Sequence, residues 1–289
     1  MIDSDTVESA KQWVHTGVQW METGAFSMGV KHLEKAIPVF AEAEDTRWLT
    51  YTRHQKLVGL DGMGRHEEAE GCFEEVMIGY VDLDDPYGKT LVLFHTAQAM
   101  DALGRWERAI SLLNLASSIA QWSGRQDLHA HILTQLAKLY LGHDNLVEAV
   151  RLLQKGENLY DQAGQEDDAL QSRLTLAEAL VRLGERSEAI AKLEDAQTRL
   201  FKAKRYRQAL EPLRQLITLY EEGGMWNDKS RISQLIHFCG QYILQNRDAR
   251  VAHPETRFKV SLFGEPEDQT PHPEGRNPEK PMKTKWKGP

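Results

Sequence analysis

Ala97-Gln98-Ala99-Met100-Asp101-Ala102-Leu103-Gly104-Arg105-Trp106-Glu107-Arg108-Ala109 is followed, forty residues on, by Ala137-Lys138-Leu139-Tyr140-Leu141-Gly142-His143-Asp144-Asn145-Leu146-Val147-Glu148-Ala149. Both stretches place Ala, then a large side chain, then Gly or Asp, then Ala at the same offsets, and the register extends in both directions. Gly24, Gly64, Gly104, Asp144, Gly184 and Gly224 lie forty residues apart without insertion. Such self-similarity, sought before secondary structure, marks a repeat architecture.

Neighbouring columns agree with the anchors. Four residues before each anchor stand Trp20, Leu60, Met100, Tyr140, Leu180 and Tyr220, all large. Seven before are Gly17, Leu57, Ala97, Ala137, Ala177 and Ile217, mostly small. Five after come Gly29, Ala69, Ala109, Ala149, Ala189 and Lys229, and twelve after come Ala36, Val76, Ala116, Gly156, Ala196 and Ile236. Nine after, Leu33, Phe73, Leu113, Leu153 and Leu193 give way to Ser233.

Each column has a physical reason. A glycine adopts positive φ without a Cβ clash and so ends one helix in a left-handed cap; Asp144 is the next best occupant. Small columns let antiparallel helices approach closely, and large side chains of the facing helix fill the groove. The offsets of four, five, nine and twelve put the apolar residues on one helical face. These rules predict an all-α chain of six helix-turn-helix units.

The pattern resembles the tetratricopeptide repeat: Trp13, Gly17, Trp20, Gly24, Phe26, Leu33 and Ala36 carry it in the first unit, and Leu136, Ala137, Tyr140, Leu146, Ala149 and Leu153 in the fourth. The period of forty exceeds the commoner thirty-four and is similar to the longer-helix variant of bacterial peptide-sensing regulators, transcription activators and eukaryotic adaptors. The proline that ends the usual repeat is missing, since Pro38, Pro86 and Pro212 fall in unrelated columns. The resemblance implies a right-handed superhelical solenoid of about six repeats over residues 8–248. Lys229 and Ser233 predict a partly solvated outer face for the last helix, the polar cap a solenoid needs.

Residues 249–289 differ in kind. Seven prolines fall between Val251 and Pro289, and the segment reads as a disordered tail. Within it lies one apolar island, Phe258-Lys259-Val260-Ser261-Leu262-Phe263, which reads equally as incidental apolar residues of a solvated tail or as a functional segment that docks around Ile232, Ile236 and Cys239 or serves as a linear motif. The net charge of −8 is uneven: the tail carries eight Lys or Arg against six Asp or Glu, leaving about −10 on the first 248 residues. Such a body repels phosphates and argues against nucleic acid as a partner. No apolar stretch is long enough to span a bilayer, and the acidic start Met1-Ile2-Asp3-Ser4-Asp5 is unlike a secretory signal, which reads as a cytoplasmic protein. Cys72 and Cys239 are expected to be buried thiols, without zinc-site spacing.

No catalytic, cofactor or metal site emerges. Gly59, Gly62 and Gly64 close a helix and lack the preceding strand and following Lys-Ser or Lys-Thr of a phosphate loop. Asp82-Leu83-Asp84-Asp85-Pro86-Tyr87-Gly88 fails calcium-loop spacing after Asp84 and reads as a helix-capping loop between repeats. His129 and His131 lie about 200° apart around a helix and cannot share an ion; the histidines read as solvated or edge-packed. Trp13, Trp20, Trp106 and Trp226 fall on packing columns and are expected in the core, whereas Trp48, Trp122 and Trp286 are left open.

By the resemblance, partners bind in a concave groove lined by first helices, thirteen, ten, six and three residues before the turn. Those offsets select Tyr51, His54 and Val58; Leu91, Phe94, Gln98 and Asp101; and His131, Thr134, Lys138 and Leu141. They continue with Gln171, Leu174, Glu178 and Val181, then Glu211, Arg214, Thr218 and Glu221. Some of these side chains could instead pack between neighbouring first helices. The aromatic and apolar start and charged end suit an extended peptide or partner helix. The co-chaperone clamp for a heat-shock chaperone's terminal carboxylate is not expected, since its positions are Val14, Val18, Val58, Phe94 and Gln98. The leading expectation is a non-enzymatic scaffold, adaptor or assembly factor without cofactor. A peptide- or ligand-sensing regulator comes second, and an enzyme with an unrecognised site last.

Overall fold

The computed structural model describes residues 3–245, so the apolar island at 258–263 and the rest of the tail lie outside the described residues. The described chain forms α1 (Ser4–Glu22), α2 (Phe26–Glu42), α3 (Thr46–Gly62), α4 (His66–Gly71), α5 (Phe73–Asp82), α6 (Pro86–Ala102) and α7 (Trp106–Trp122). It continues with α8 (Gln126–Gly142), α9 (Leu146–Gln162), α10 (Glu166–Leu183), α11 (Arg186–Lys202), α12 (Tyr206–Glu222) and α13 (Trp226–Gln245). Helices α4 and α5 are one second helix interrupted at Cys72, so the elements pair into six helix-turn-helix units. Each helix packs on the one before and the one after, and the described residues include no strand. This nearest-neighbour stacking is the architecture of a solenoid.

The predicted turn residues all have positive φ, from 60° at Asp144 to 89° at Gly184. A second series, twenty residues out of phase, was not legible in the sequence: Glu44, Asp84, Gly124, Gly164 and Lys204 also have positive φ. Every one of these turns closes the same way. At Gly104 its N–H donates to the Asp101 carbonyl (2.8 Å) and the Arg105 N–H to the Met100 carbonyl (2.8 Å). At Lys204 the matching bonds run from Lys204 to Phe201 (3.0 Å) and from Arg205 to Leu200 (2.8 Å). The two bonds satisfy carbonyls that the helix end would otherwise leave orphaned. Only two residues of the second series are glycine, which hides it from composition. Asp85 caps α6 by accepting from the Gly88 N–H (3.0 Å), and Pro86 occupies the first turn, where no amide donor is needed.

The small columns lie at the helix contacts: Ala69, Ala109, Ala149 and Ala189 are fully buried, as are Ala36, Val76, Ala116 and Ala196. One core cluster runs without a break from Leu57 to Cys239, and a second gathers Val14, Leu33, Phe40 and Trp48 at the N-terminal end. Lys229 is half-buried and Ser233 exposed, but α13 also exposes Trp226, Phe238, Tyr242 and Leu244, so the polar cap expected at this end is only partly present.

Two sequence expectations need correction. Trp20 is 42% exposed and Trp226 63%, and Trp13 and Trp106 are only half-buried, because their helical columns are buried only where a neighbouring helix covers them. Trp48, left open, is buried and stacks on Phe40 with ring centres 5.7 Å apart. Cys239 is buried as expected, but Cys72, at the interruption between α4 and α5, is half-buried.

Candidate functional site

The eleven side chains singled out for partner binding divide by repeat. Tyr51, His54 and Phe94 are buried, and His131 is half-buried beside Phe94 with ring centres 5.1 Å apart. In this structure these four are packing groups, the alternative that the offsets left open. Gln98, Asp101, Lys138, Gln171, Glu178, Arg214 and Glu221 are exposed along α6, α8, α10 and α12. Asp101, Lys138, Glu178 and Arg214 make no side-chain hydrogen bond or ion pair with another described residue. Glu221 is held by Lys229.

Between α6 and α8 the surface opens into a cavity of about 260 Å3. Phe94, Leu113 and Leu139 supply apolar wall, while Gln98, Asp101 and Lys138 bring polar atoms to it. Phe94 thus belongs both to the packing and to the cavity wall, and three exposed positions selected by the offsets converge at one place. An apolar wall with a few convergent polar groups is the usual make-up of a binding cavity.

Beneath this surface lies a group that sequence reasoning missed. His54 of α3 shares a hydrogen bond with the Tyr80 hydroxyl of α5 (Nδ1 to Oη, 2.8 Å). Its Nε2 lies 2.9 Å from Nδ1 of His95 on α6. Phe94 bridges edge to face from His95 toward His131 of α8. Burial holds His54 well below the ordinary histidine range. Burial, then the neighbouring His131, lowers His95 to about 3, and burial, then the Lys138 ammonium, lowers His131 to about 4. Burial therefore favours the neutral rings, and the short His54–His95 contact excludes the doubly protonated pair, in which two N–H donors would face each other. His129 is also buried, and burial lowers it to about 4. The reading of the histidines as solvated or edge-packed is therefore corrected for His54, His95 and His129. A signal existed: His54, His95 and His131 fall on three consecutive first helices.

A second missed group lies on the far side of the first helices. Buried Arg173 of α10 reaches Glu157 (2.7 Å) and Asp161 (3.1 Å) of α9 and Asp195 (3.1 Å) of α11. Lys192 also pairs with the buried Glu157 (2.8 Å). The network ties two repeats together and leaves the first-helix surface clear. No helix among the described residues is long and apolar enough to cross a membrane.

No protein-family model matches the sequence, and no curated protein matches it. Solved structures are similar in fold. A Podosopora anserina kinesin light chain with nearly identical TPR-like repeats shares 19% identity at a TM-score of 0.60, over 71% of this chain and all of that one. A Pyrococcus horikoshii STAND protein with a tetratricopeptide repeat sensor shares 15% identity at 0.72, over 86% of this chain and 38% of that one. A Rap protein complexed with competence and sporulation factor shares 13% identity at 0.57, over 85% of this chain and 67% of that one. Together with the six stacked helix pairs and their left-handed turns, these likenesses give the chain the fold of a tetratricopeptide-type repeat solenoid.

Proposed function

We propose that the chain is a non-enzymatic protein-interaction scaffold that holds an extended peptide or a helix of a partner along its first-helix surface. One observation carries this reading. The chain pairs many of its charges across neighbouring helices, yet Asp101, Lys138, Glu178 and Arg214, on four successive first helices, face solvent without a charge partner among the described residues. Charges so presented suit a complementary partner, whose apolar anchor would enter the cavity beside Phe94. The partner is not a terminal carboxylate of the heat-shock kind, because Val14, Val18, Val58 and Phe94 offer no cation. Capture from a native lysate should recover a stoichiometric protein, and the double reversal Asp101→Lys, Lys138→Glu should lose it with the helical spectrum intact. A partner held equally by that variant, or none held by either, would refute the reading.

A second reading, a peptide-sensing regulator, is favoured by likeness to the Rap protein solved with competence and sporulation factor. Small-angle scattering separates the two. Compaction on adding the peptide fraction of the source cells supports sensing, and an unchanged radius supports scaffolding.

A further inference from the structure

The exposed apolar surface of the array is concentrated on α13. Trp226, Phe238, Tyr242 and Leu244 all stand there, whereas no other helix among the described residues exposes more than two large apolar side chains. Ile232 and Cys239 are buried and Ile236 is half-buried against the core, so the face around them, where the sequence could place the tail island, is largely closed by the array itself. A different face is open. It is the stripe Arg231, Leu235, Phe238 and Tyr242, at helical steps of four, three and four residues.

This stripe is one wall of a groove, and α11 is the other. A cavity of about 360 Å3 lies between Glu194 and Thr198 of α11 and Arg231 and Leu235 of α13. One turn further along α11, Phe201 meets Phe238 with ring centres 6.3 Å apart. Tyr206, at the start of α12, stands edge-on to Phe238 (5.4 Å) and Tyr242 (4.5 Å). The groove thus runs onto an aromatic floor. Lys202, Lys204 and Arg207, next in the chain to Phe201 and Tyr206, are exposed and give this end a cationic rim on a body that is otherwise acidic.

The tail has the complementary chemistry within reach. The backbone leaves α13 at Gln245, and the apolar island begins at Phe258. Residues 246–257 can span up to about 40 Å, while Gln245 lies only about 10 Å along the helix from Phe238. An extended island puts Phe258, Val260 and Leu262 on one side, with Lys259 and Ser261 on the other. Glu265, Glu267 and Asp268 follow directly, three carboxylates to meet three cations. A tethered segment acts at an effective concentration in the millimolar range, so modest contacts suffice. A second copy placed on this face by a two-fold axis would instead set the cationic rim against itself. We propose that residues 258–268 dock on their own chain, with Phe258, Val260 and Leu262 in the groove between α11 and α13 and the three carboxylates on Lys202, Lys204 and Arg207. The docked segment completes the cap that α13 provides only in part. Both walls of the groove are second helices, so this site is independent of the scaffold reading.

Limited tryptic digestion of the full chain, read by mass spectrometry, tests this. The bonds after Arg257 and Lys259 lie at the docked segment, and the bond after Lys283 lies beyond it. Cleavage at the first two should be at least tenfold slower than at the third, because a protease cuts only the open population. Phe238→Ser, at a residue 46% exposed, should abolish that protection while leaving the helical spectrum and the rate at Lys283 unchanged. The double reversal Lys202→Glu, Arg207→Glu should weaken the protection, and Glu265→Lys added to it should restore part of what was lost. Since Pro266 follows, that last change adds no tryptic site. Equal cleavage at all three bonds, protection that survives Phe238→Ser, a charge reversal that Glu265→Lys does not repair, or protection that fades on dilution, as a contact between copies would, overturns the proposal.

Discussion

Lowering the pH from about 7.5 to 5.5 should strip the solenoid of much of its stability through His54, His95 and His131. All three are neutral in the folded chain because burial holds them well below their ordinary range, His95 at about 3 and His131 at about 4. In the unfolded chain each titrates near pH 6.5. Below that value the unfolded state binds protons that the folded state excludes, so stability falls as pH falls, by up to about 1.4 kcal/mol per pH unit for each ring. At pH 5.5 each ring has cost roughly 1.4 kcal/mol, and with His129, which burial also lowers to about 4, the four together cost about 5 to 6, a large part of the 5 to 15 kcal/mol of an ordinary domain. Carboxylate protonation falls lower, near pH 4, and does not confuse this window. Urea denaturation followed by far-ultraviolet circular dichroism at several pH values gives the slope. The variant His95→Gln, which keeps a hydrogen-bonding group but cannot take up the proton, should reduce the slope by about a quarter. Equal stability at both pH values, or an undiminished slope in the double variant His54→Gln, His95→Gln, would refute the reasoning.

Three further outcomes follow from packing and backbone geometry. Ala109→Phe or Ala149→Phe, each at a fully buried helix contact, should cost roughly 1 to 3 kcal/mol by thermal or urea denaturation; a neutral result would contradict the register. Lys204→Gly, at a residue with φ of 58°, should stabilise by about 1 kcal/mol by relieving the left-handed strain, visible as a raised denaturation midpoint. Arg173→Leu leaves the buried Glu157 with Lys192 alone and should cost roughly 3 kcal/mol in the same assay; a loss below about 1 kcal/mol would put the network on a par with exposed ion pairs.

The groove offsets selected two kinds of residue. Ten residues before successive turns stand His54, Phe94, Thr134, Leu174 and Arg214: the first three are buried, Leu174 is half-buried and Arg214 exposed. One column therefore runs from the interior to solvent along the chain. Periodicity places a side chain around a helix axis, but its burial depends on the size of the neighbours on adjoining helices. The aromatic and histidine positions of the second to fourth units close over one another, whereas Gln171, Glu178, Arg214 and Glu221 remain in solvent.

What the sequence by itself determined is the repeat: the number of units, the turn at each anchor and the small columns where helices touch. These are local properties, since a left-handed turn needs Gly or Asp and an amphipathic helix writes its face every three or four residues. The unglycinated turns at Glu44, Asp84 and Lys204 show the limit, because there the Schellman hydrogen bonds and the stacking of the next helix impose positive φ on residues that do not advertise it. Only the tertiary structure decided which equivalents meet. It joined His54 to His95 and Arg173 to Glu157, buried Trp48, and left Trp20 open, because no helix among the described residues covers the packing column on which Trp20 stands.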